Sequence, residues 1–378
     1  MTDEHLMKAA QDLIYLLSCA VNNTKPDSER CAAMEPEDLY GLAEYHGVAS
    51  AAAHALERTA ELPRAFDQAK KKAIRKLALF DIERAKILDA LEQNGVWYMP
   101  LKGIILKDLY PKTAMREMND NDILCDESKA ETVRGIMEEL GYTCDLYGMF
   151  HHDVYSKPPT LEFEMHRALF REDTSPLLSR YYSGIKDRLL PDDGKRFGCH
   201  MCDADFYIYL LCHMFKHYSN AGTGLRSLLD VYVFTRERYA ALDRDYLSKE
   251  LEKLKLTEFE ENIRGLAHDV FSRKELSESQ RGMLGYLLAS GSDGAWGIME
   301  HNSLLRKMGG DSSNKRRYLL KRVFISGESL QKQYPFFYRH KALYPLLFLY
   351  RPVKGAVTHP KGIIDEVKKV IRFKKSEE

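Results

Sequence analysis

The sequence carries no excess of charge. Its 378 residues hold 56 Lys and Arg against 56 Asp and Glu, a formal net charge of zero. No general electrostatic pull toward nucleic acid follows, and a polyanionic partner would have to be met by a local basic patch. Cysteine is sparse: seven residues, an odd number at irregular spacing, do not make the paired framework of a disulfide scaffold. No apolar run approaches the ~20 residues that span a bilayer, and the longest, at 344–350, is far too short. The opening stretch, MTDEHLMKAAQDL, has no apolar signal core. Repeats and low-complexity tracts are absent. The expectation is a cytoplasmic protein without a membrane span. What is present, 44% hydrophobic and 30% charged residues with 11% aromatics, suits a folded chain of two or three lobes.

Residues 1–95 read as helix throughout. Leu6, Ala9, Ala10, Leu13, Ile14 and Leu17 recur at helical spacing, as do Leu39, Leu42 and Ala43 after the Pro36 boundary. A long segment, 64–93, carries Leu77, Phe80, Ile87, Leu88 and Leu91, with Gly95 as its stop. Residues 96–170 mix strand and helix. A strand at 96–99 ends at Pro100, and Leu101-Lys102-Gly103 turns into a helical run through Ile104, Ile105 and Leu109. A strand at 120–125 follows, then a helix at 128–140 with Ser128 and Glu131 spaced as a capping box. Strands are expected at 142–146 and 151–156, with His151 and His152 on a surface strand. Residues 160–166, TLEFEMH, alternate cleanly: Leu161, Phe163 and Met165 on one face, Glu162, Glu164 and His166 on the other. Residues 171–202 read as an irregular connection or lid, and 203–378 as a helical lobe ending in a basic amphipathic helix from Lys361. The fold class is α+β: a mixed sheet core flanked by an N-terminal helical region and a C-terminal helical lobe.

Asp120 and Asp122 are two apart, so in a strand their carboxylates share one face. Two acids aimed at one place repel, by ~4 kcal/mol at about 4 Å and an effective dielectric near 20. Mg2+ is the usual compensation, held by one or two carboxylates and substrate phosphates. Glu164 on a neighbouring strand would complete three acids around two Mg2+ ions and a nucleoside triphosphate, with Glu162 on the same face as its rival. Lys102 and Gly103 offer a cation and a backbone turn for phosphate, and Arg116 a further cation. Arg226 and Asp230, at i and i+4 on one helix, are spaced for an ion pair. A single C-x-x-C at Cys199 and Cys202 lacks the second pair that a structural zinc needs.

Several segments carry a resemblance in order along the chain: LAEYHGVA at 42–49, PLKG at 100–103, LYP at 109–111, REMNDNDIL at 116–124, ELGY at 139–142, FEMH at 163–166, FKH at 215–217, LRSLLDV at 225–231 and an RVF…YP…L pattern near 322–347. The chain resembles the uncharacterised bacterial nucleotidyltransferase family within the polymerase-beta-like nucleotidyltransferase superfamily. The resemblance implies that Asp120 and Asp122 are the metal-binding pair and Glu164 the third carboxylate. It also implies that His217, Arg226 and Asp230 lie in the lobe that closes over an ATP-like nucleotide, where a polar network between helices is the competing reading. One departure stands out. The superfamily's Gly-Gly or Gly-Ser turn is Lys102-Gly103 here, so the small hydroxyl for the terminal phosphate is missing and Lys102 takes its place. The implied activity is Mg2+-dependent transfer of a nucleoside monophosphate to a sugar, small molecule, peptide or protein. The alternatives are a catalytically degenerate nucleotide-binding module and a protein-interaction scaffold.

Overall fold

A computed structural model of the chain describes residues 3–59 and 62–292, with positions 294, 298, 299 and 302. The expectations for 309–378, including the basic helix from Lys361, lie outside the described residues. Every element named below falls within the first of two compact units, Met1–Ala295 and Trp296–Glu378.

Five helices come first: α1 (Asp3–Val21), α2 (Ser28–Ala32), α3 (Pro36–Tyr45), α4 (Ala49–Leu56) and α5 (Arg64–Gln93). The sheet region then runs β1 (Tyr98–Pro100), α6 (Gly103–Leu106), β2 (Asn121–Cys125), α7 (Ala130–Glu139), β3 (Thr143–Leu146), β4 (His152–Lys157) and β5 (Leu161–His166). After α8 (Pro176–Tyr181) and a ribbon of β6 (Leu190–Pro191) and β7 (Cys199–His200), the chain is helical. It forms α9 (Asp203–Tyr218), α10 (Leu225–Arg238), α11 (Arg244–Leu254), α12 (Thr257–Phe271) and α13 (Glu278–Ser290). The α+β class expected from the sequence is the one formed, with helices at both ends of a mixed sheet.

The five strands lie in the order β1-β2-β5-β4-β3, with β2 and β5 parallel and the other neighbours antiparallel. Leu161, Phe163 and Met165 face one way, into a core with Phe80, Ile87 and Leu91 of α5 and Val133, Ile136 and Met137 of α7. Phe163 meets Phe80 and Tyr142 edge-on, with ring centroids 5.7 and 5.5 Å apart. The burial of α5 at Phe80, Glu83, Ile87 and Leu91 follows the three-and-four spacing of one helical face. The second core contains Leu124 of β2 together with α1, α4 and α9 to α12. Helices from both ends of the sequence therefore share one interior. Ser18 donates to the Phe271 carbonyl at 2.7 Å and Asn22 to the same oxygen at 2.8 Å.

Local structure departs from the sequence reading in three places. The capping box at Ser128 does not form, because Asp126 caps a short 3-10 turn by accepting from the Ser128 amide, and α7 starts only at Ala130. The helical run after Gly103 breaks into four residues of α6 and a 3-10 turn. Residues 171–202 contain a short helix and the β6–β7 ribbon, which joins the edge of β1 through a Tyr98–Gly198 bridge.

Candidate functional site

The carboxylates are brought together by strand register. Asp122 is the second residue of β2, and in the parallel ladder it stands directly beside Glu164 of β5. Paired residues of neighbouring strands share a face. Asp120 lies just before β2, two residues from Asp122, at the same mouth of the sheet. Donor oxygens of Asp120, Glu162 and Glu164 fall within 4.8 Å of one another, as do those of Asp122 and Glu164 with a nitrogen of His166. Glu164 thus belongs to both groups. Glu162 is exposed, and Glu164 is the one that lines the cleft.

That cleft, of about 360 Å³, is walled by the sheet mouth on one side and by α9 and α10 on the other. Lys102, Gly103, Arg116, Asp120, Asp122, Glu164, His217, Arg226 and Asp230 all line it, although they come from five separate segments of the chain.

Lys102 is held in an unusual backbone conformation, φ 36° and ψ −106°, a region that side chains other than glycine seldom occupy. Such strain collects where surrounding structure insists on a geometry. The Lys102 ammonium reaches Asp122 Oδ2 at 2.7 Å and donates to His213 Nε2 at 3.0 Å. His213 Nε2 is therefore an acceptor, and His217 Nε2 lies 3.1 Å from it. Burial and the neighbouring cations hold both imidazoles neutral, His217 down to about 3. Asp122 has a donor on each oxygen, since the His166 Nε2–H donates to Oδ1 at 3.0 Å and to Glu164 Oε2 at 3.2 Å. Burial opposes its ionisation, but Lys102 and His166 together keep it well below the usual carboxylate range. Asp120 goes the other way, raised by burial and then by the Asp122 charge.

This donor set fits a hard divalent cation. Asp120, Glu162 and Glu164 form one group whose oxygens could hold an ion, and Asp122, Glu164 and His166 a second that shares Glu164.

Arg226 and Asp230 do not form the pair their spacing permits. Asp230 is gripped by Arg116 instead, through Nε to Oδ1 at 3.1 Å and Nη2 to Oδ2 at 2.9 Å, and it also accepts from the Tyr110 hydroxyl at 2.8 Å. Arg116 Nη1 donates to the Glu117 carbonyl at 2.9 Å, and the same nitrogen lies 2.9 Å from where a Cβ on Gly103 would be. A side chain there would have to displace the Arg116 guanidinium from these partners. Arg226 points at the Glu117 carbonyl from the other side, at 3.5 Å.

Four cleft residues escape a reading by sequence alone. His213 and Lys216 share with His217 the i, i+3, i+4 face of α9 that looks into the cleft, so the helical period was the available signal. Lys216 makes no hydrogen bond or ion pair among the described residues, and burial followed by the Lys102 charge brings it down to about 8. His151 and His152, expected on a surface strand, line the cleft as well. Cys202 caps α9, its sulfur accepting from the Asp205 amide, while Cys199 is buried beside Lys186, and all seven cysteines are free.

With that geometry in hand, comparison with known proteins adds one match. A family model described as "uncharacterised nucleotidyltransferase" covers residues 32–272, which include every site residue named above. No curated protein and no solved structure matches the chain.

Proposed function

The chain belongs to this uncharacterised nucleotidyltransferase family, and from that premise we propose that it moves a nucleoside monophosphate from a nucleoside triphosphate to an acceptor nucleophile, with Mg2+ at Asp120, Asp122 and Glu164 and release of pyrophosphate. The observation that carries the reading is the register of Asp122 beside Glu164, with Asp120 at the same mouth and a strained lysine turn facing them. Bound at these oxygens, Mg2+ would polarise the α-phosphate and neutralise charge on the leaving pyrophosphate.

The chain's own groups then divide the work. Lys102 has spent two of its three donors on Asp122 and His213 and keeps one for a phosphate oxygen. Gly103 leaves room beside that turn. Lys216 presents donors from α9, His217 lines the same wall, and Arg226 adds positive charge from α10. Glu164, less enclosed than Asp122, is placed to take the proton from an acceptor hydroxyl. Arg116 and Asp230 hold the turn from beneath rather than the nucleotide. The uneven wall, acids on the sheet and cations on the helices, suits a triphosphate bridged to metal. The wider polymerase-beta-like superfamily is part of this reading. The acceptor belongs to the same proposal: a sugar, small molecule, peptide or protein side chain.

Label transfer from the α-phosphate of ATP, GTP, CTP or UTP in Mg2+, over a panel of such acceptors, tests it. The expected loss for D120N/D122N is at least ~100-fold, since even residues behind metal ligands cost 10–100-fold. Transfer that survives in the double variant overturns the assignment.

A second reading has its own observation. Lys102 already pairs with Asp122, so that carboxylate has an internal partner in place of a metal. On that reading the protein binds nucleotide without turnover. Calorimetry that finds nucleotide bound while no pyrophosphate appears with any acceptor selects it.

A further inference from the structure

Beside the carboxylate cluster, three imidazoles meet. His152 opens β4 and is paired across the antiparallel ladder with His166, the last residue of β5. His151 immediately precedes the strand. The ring centroids are 4.7 Å apart for His151 and His152, 5.4 Å for His151 and His166, and 5.0 Å for His152 and His166. One ring nitrogen from each lies within 4.8 Å of the others.

Aromatic packing explains the proximity but not the polar atoms. The Nδ1 atoms of all three rings are buried and have no hydrogen-bond partner. A buried polar atom left unsatisfied costs ~1–3 kcal/mol, and three at one spot is an unusual expense for a core. His166 is 95% buried and its other nitrogen is fixed: Nε2–H donates to Asp122 at 3.0 Å and Glu164 at 3.2 Å. A carboxylate that orients one imidazole nitrogen so that the other is presented to a metal is a recurrent arrangement.

We propose that His151, His152 and His166 form a binding site for a transition-metal ion of the Zn2+ class, separate in donor chemistry from the oxygen-lined Mg2+ site. Imidazole nitrogens select zinc, copper, nickel or iron over magnesium. Three such ligands leave the fourth tetrahedral position open for water or for Glu164, whose Oε2 is 3.7 Å from His152 Nδ1. Bonds of about 2.0–2.1 Å need the three nitrogens ~3.4 Å apart, a closure of about an ångström or so that side-chain rotation supplies. The site does not depend on nucleotide chemistry, so it stands or falls independently of the transferase reading.

The test is titration of the full-length, untagged, chelator-stripped chain with Co2+ and then Zn2+, followed by calorimetry and visible absorption. One ion per chain is expected, with the intense bands of tetrahedral cobalt and their displacement by Zn2+. The variant H151A/H152A should lose at least ~100-fold in affinity, while H200A, which removes an exposed histidine outside the cleft, keeps it. Thermal melting without metal checks that the double variant folds, and H152Q alone serves if it does not. Absence of stoichiometric binding overturns the proposal. So does binding that persists in the folded H151A/H152A variant or vanishes in H200A, because the ion would then sit elsewhere.

Discussion

Arg116 changes meaning once the chain is folded. In sequence it is a cation near two acids and reads as a phosphate contact. In the fold, three of its five N–H groups are committed, two of them to Asp230 in a pair whose side chains are 11% and 5% exposed. Removing one partner of a buried pair strands the other charge, at a cost of ~3–5 kcal/mol. D230N should therefore lower the unfolding free energy by about that much in urea denaturation, with the Tyr110 hydroxyl losing its acceptor as well. A loss below about 1 kcal/mol would mean the pair is solvated. Glu83 supplies a pH-dependent case away from the cleft. Burial alone would raise it, yet Lys157 at 2.7 Å and Lys86 bring it down to about 2. A folded value below the unfolded ~4.3 means the contribution is complete above that pH and fades as pH falls toward 2. E83Q should cost on the order of 2–3 kcal/mol near pH ~7, and its difference from the parent should shrink near pH ~3. A gap independent of pH would contradict the linkage.

At the scale of elements, the alternation of TLEFEMH was fully legible, because a period of two is a local property of a strand. The sequence named the acid face of β5, and it named the strand that bears Asp122. It did not contain the register that sets Asp122 opposite Glu164 rather than Glu162, since register is decided by pairing partners distant in sequence. The same limit hid the histidines. His151 and His152 looked like surface because the strand that brings His166 against them lies ten residues further on. The turn before α6 makes a prediction at this scale. A Cβ on Gly103 would meet Arg116 Nη1 at 2.9 Å and Met118 Sδ at 3.0 Å. G103A should thus cost ~1–3 kcal/mol by overpacking and weaken nucleotide binding through the displaced arginine, readable by calorimetry beside a denaturation curve. An alanine variant as stable as the parent would show that Arg116 is not fixed there. The capping box failed for a local reason of its own: Asp126 offered its carboxylate two residues earlier and started a 3-10 turn before α7 could use Ser128.

At the scale of the molecule, helices from before and after the sheet pack into one core. Leu13, Leu16 and Ala20 of α1 lie in the same apolar cluster as Leu229 of α10 and Ile263 and Phe271 of α12. A chain shortened by residues 1–95 would expose that face and lose the hydrogen bonds to Phe271. It should be insoluble or unfold without a cooperative transition, as followed by circular dichroism, whereas a cooperative melt would mark those helices as dispensable. None of the described helices is long and apolar enough to cross a membrane.

The amino-acid sequence determined most of the helices and the sheet strands outside 171–202, which face of each is apolar, and that acids and a glycine-lysine turn are available, because these follow from spacing within one segment. Tertiary structure alone decided which carboxylate stands beside Asp122, that Asp230 holds Arg116 and not Arg226, and that three imidazoles share one spot. Each of those outcomes joins residues from different segments, and only the packing of the two cores against the sheet fixes the distances between them.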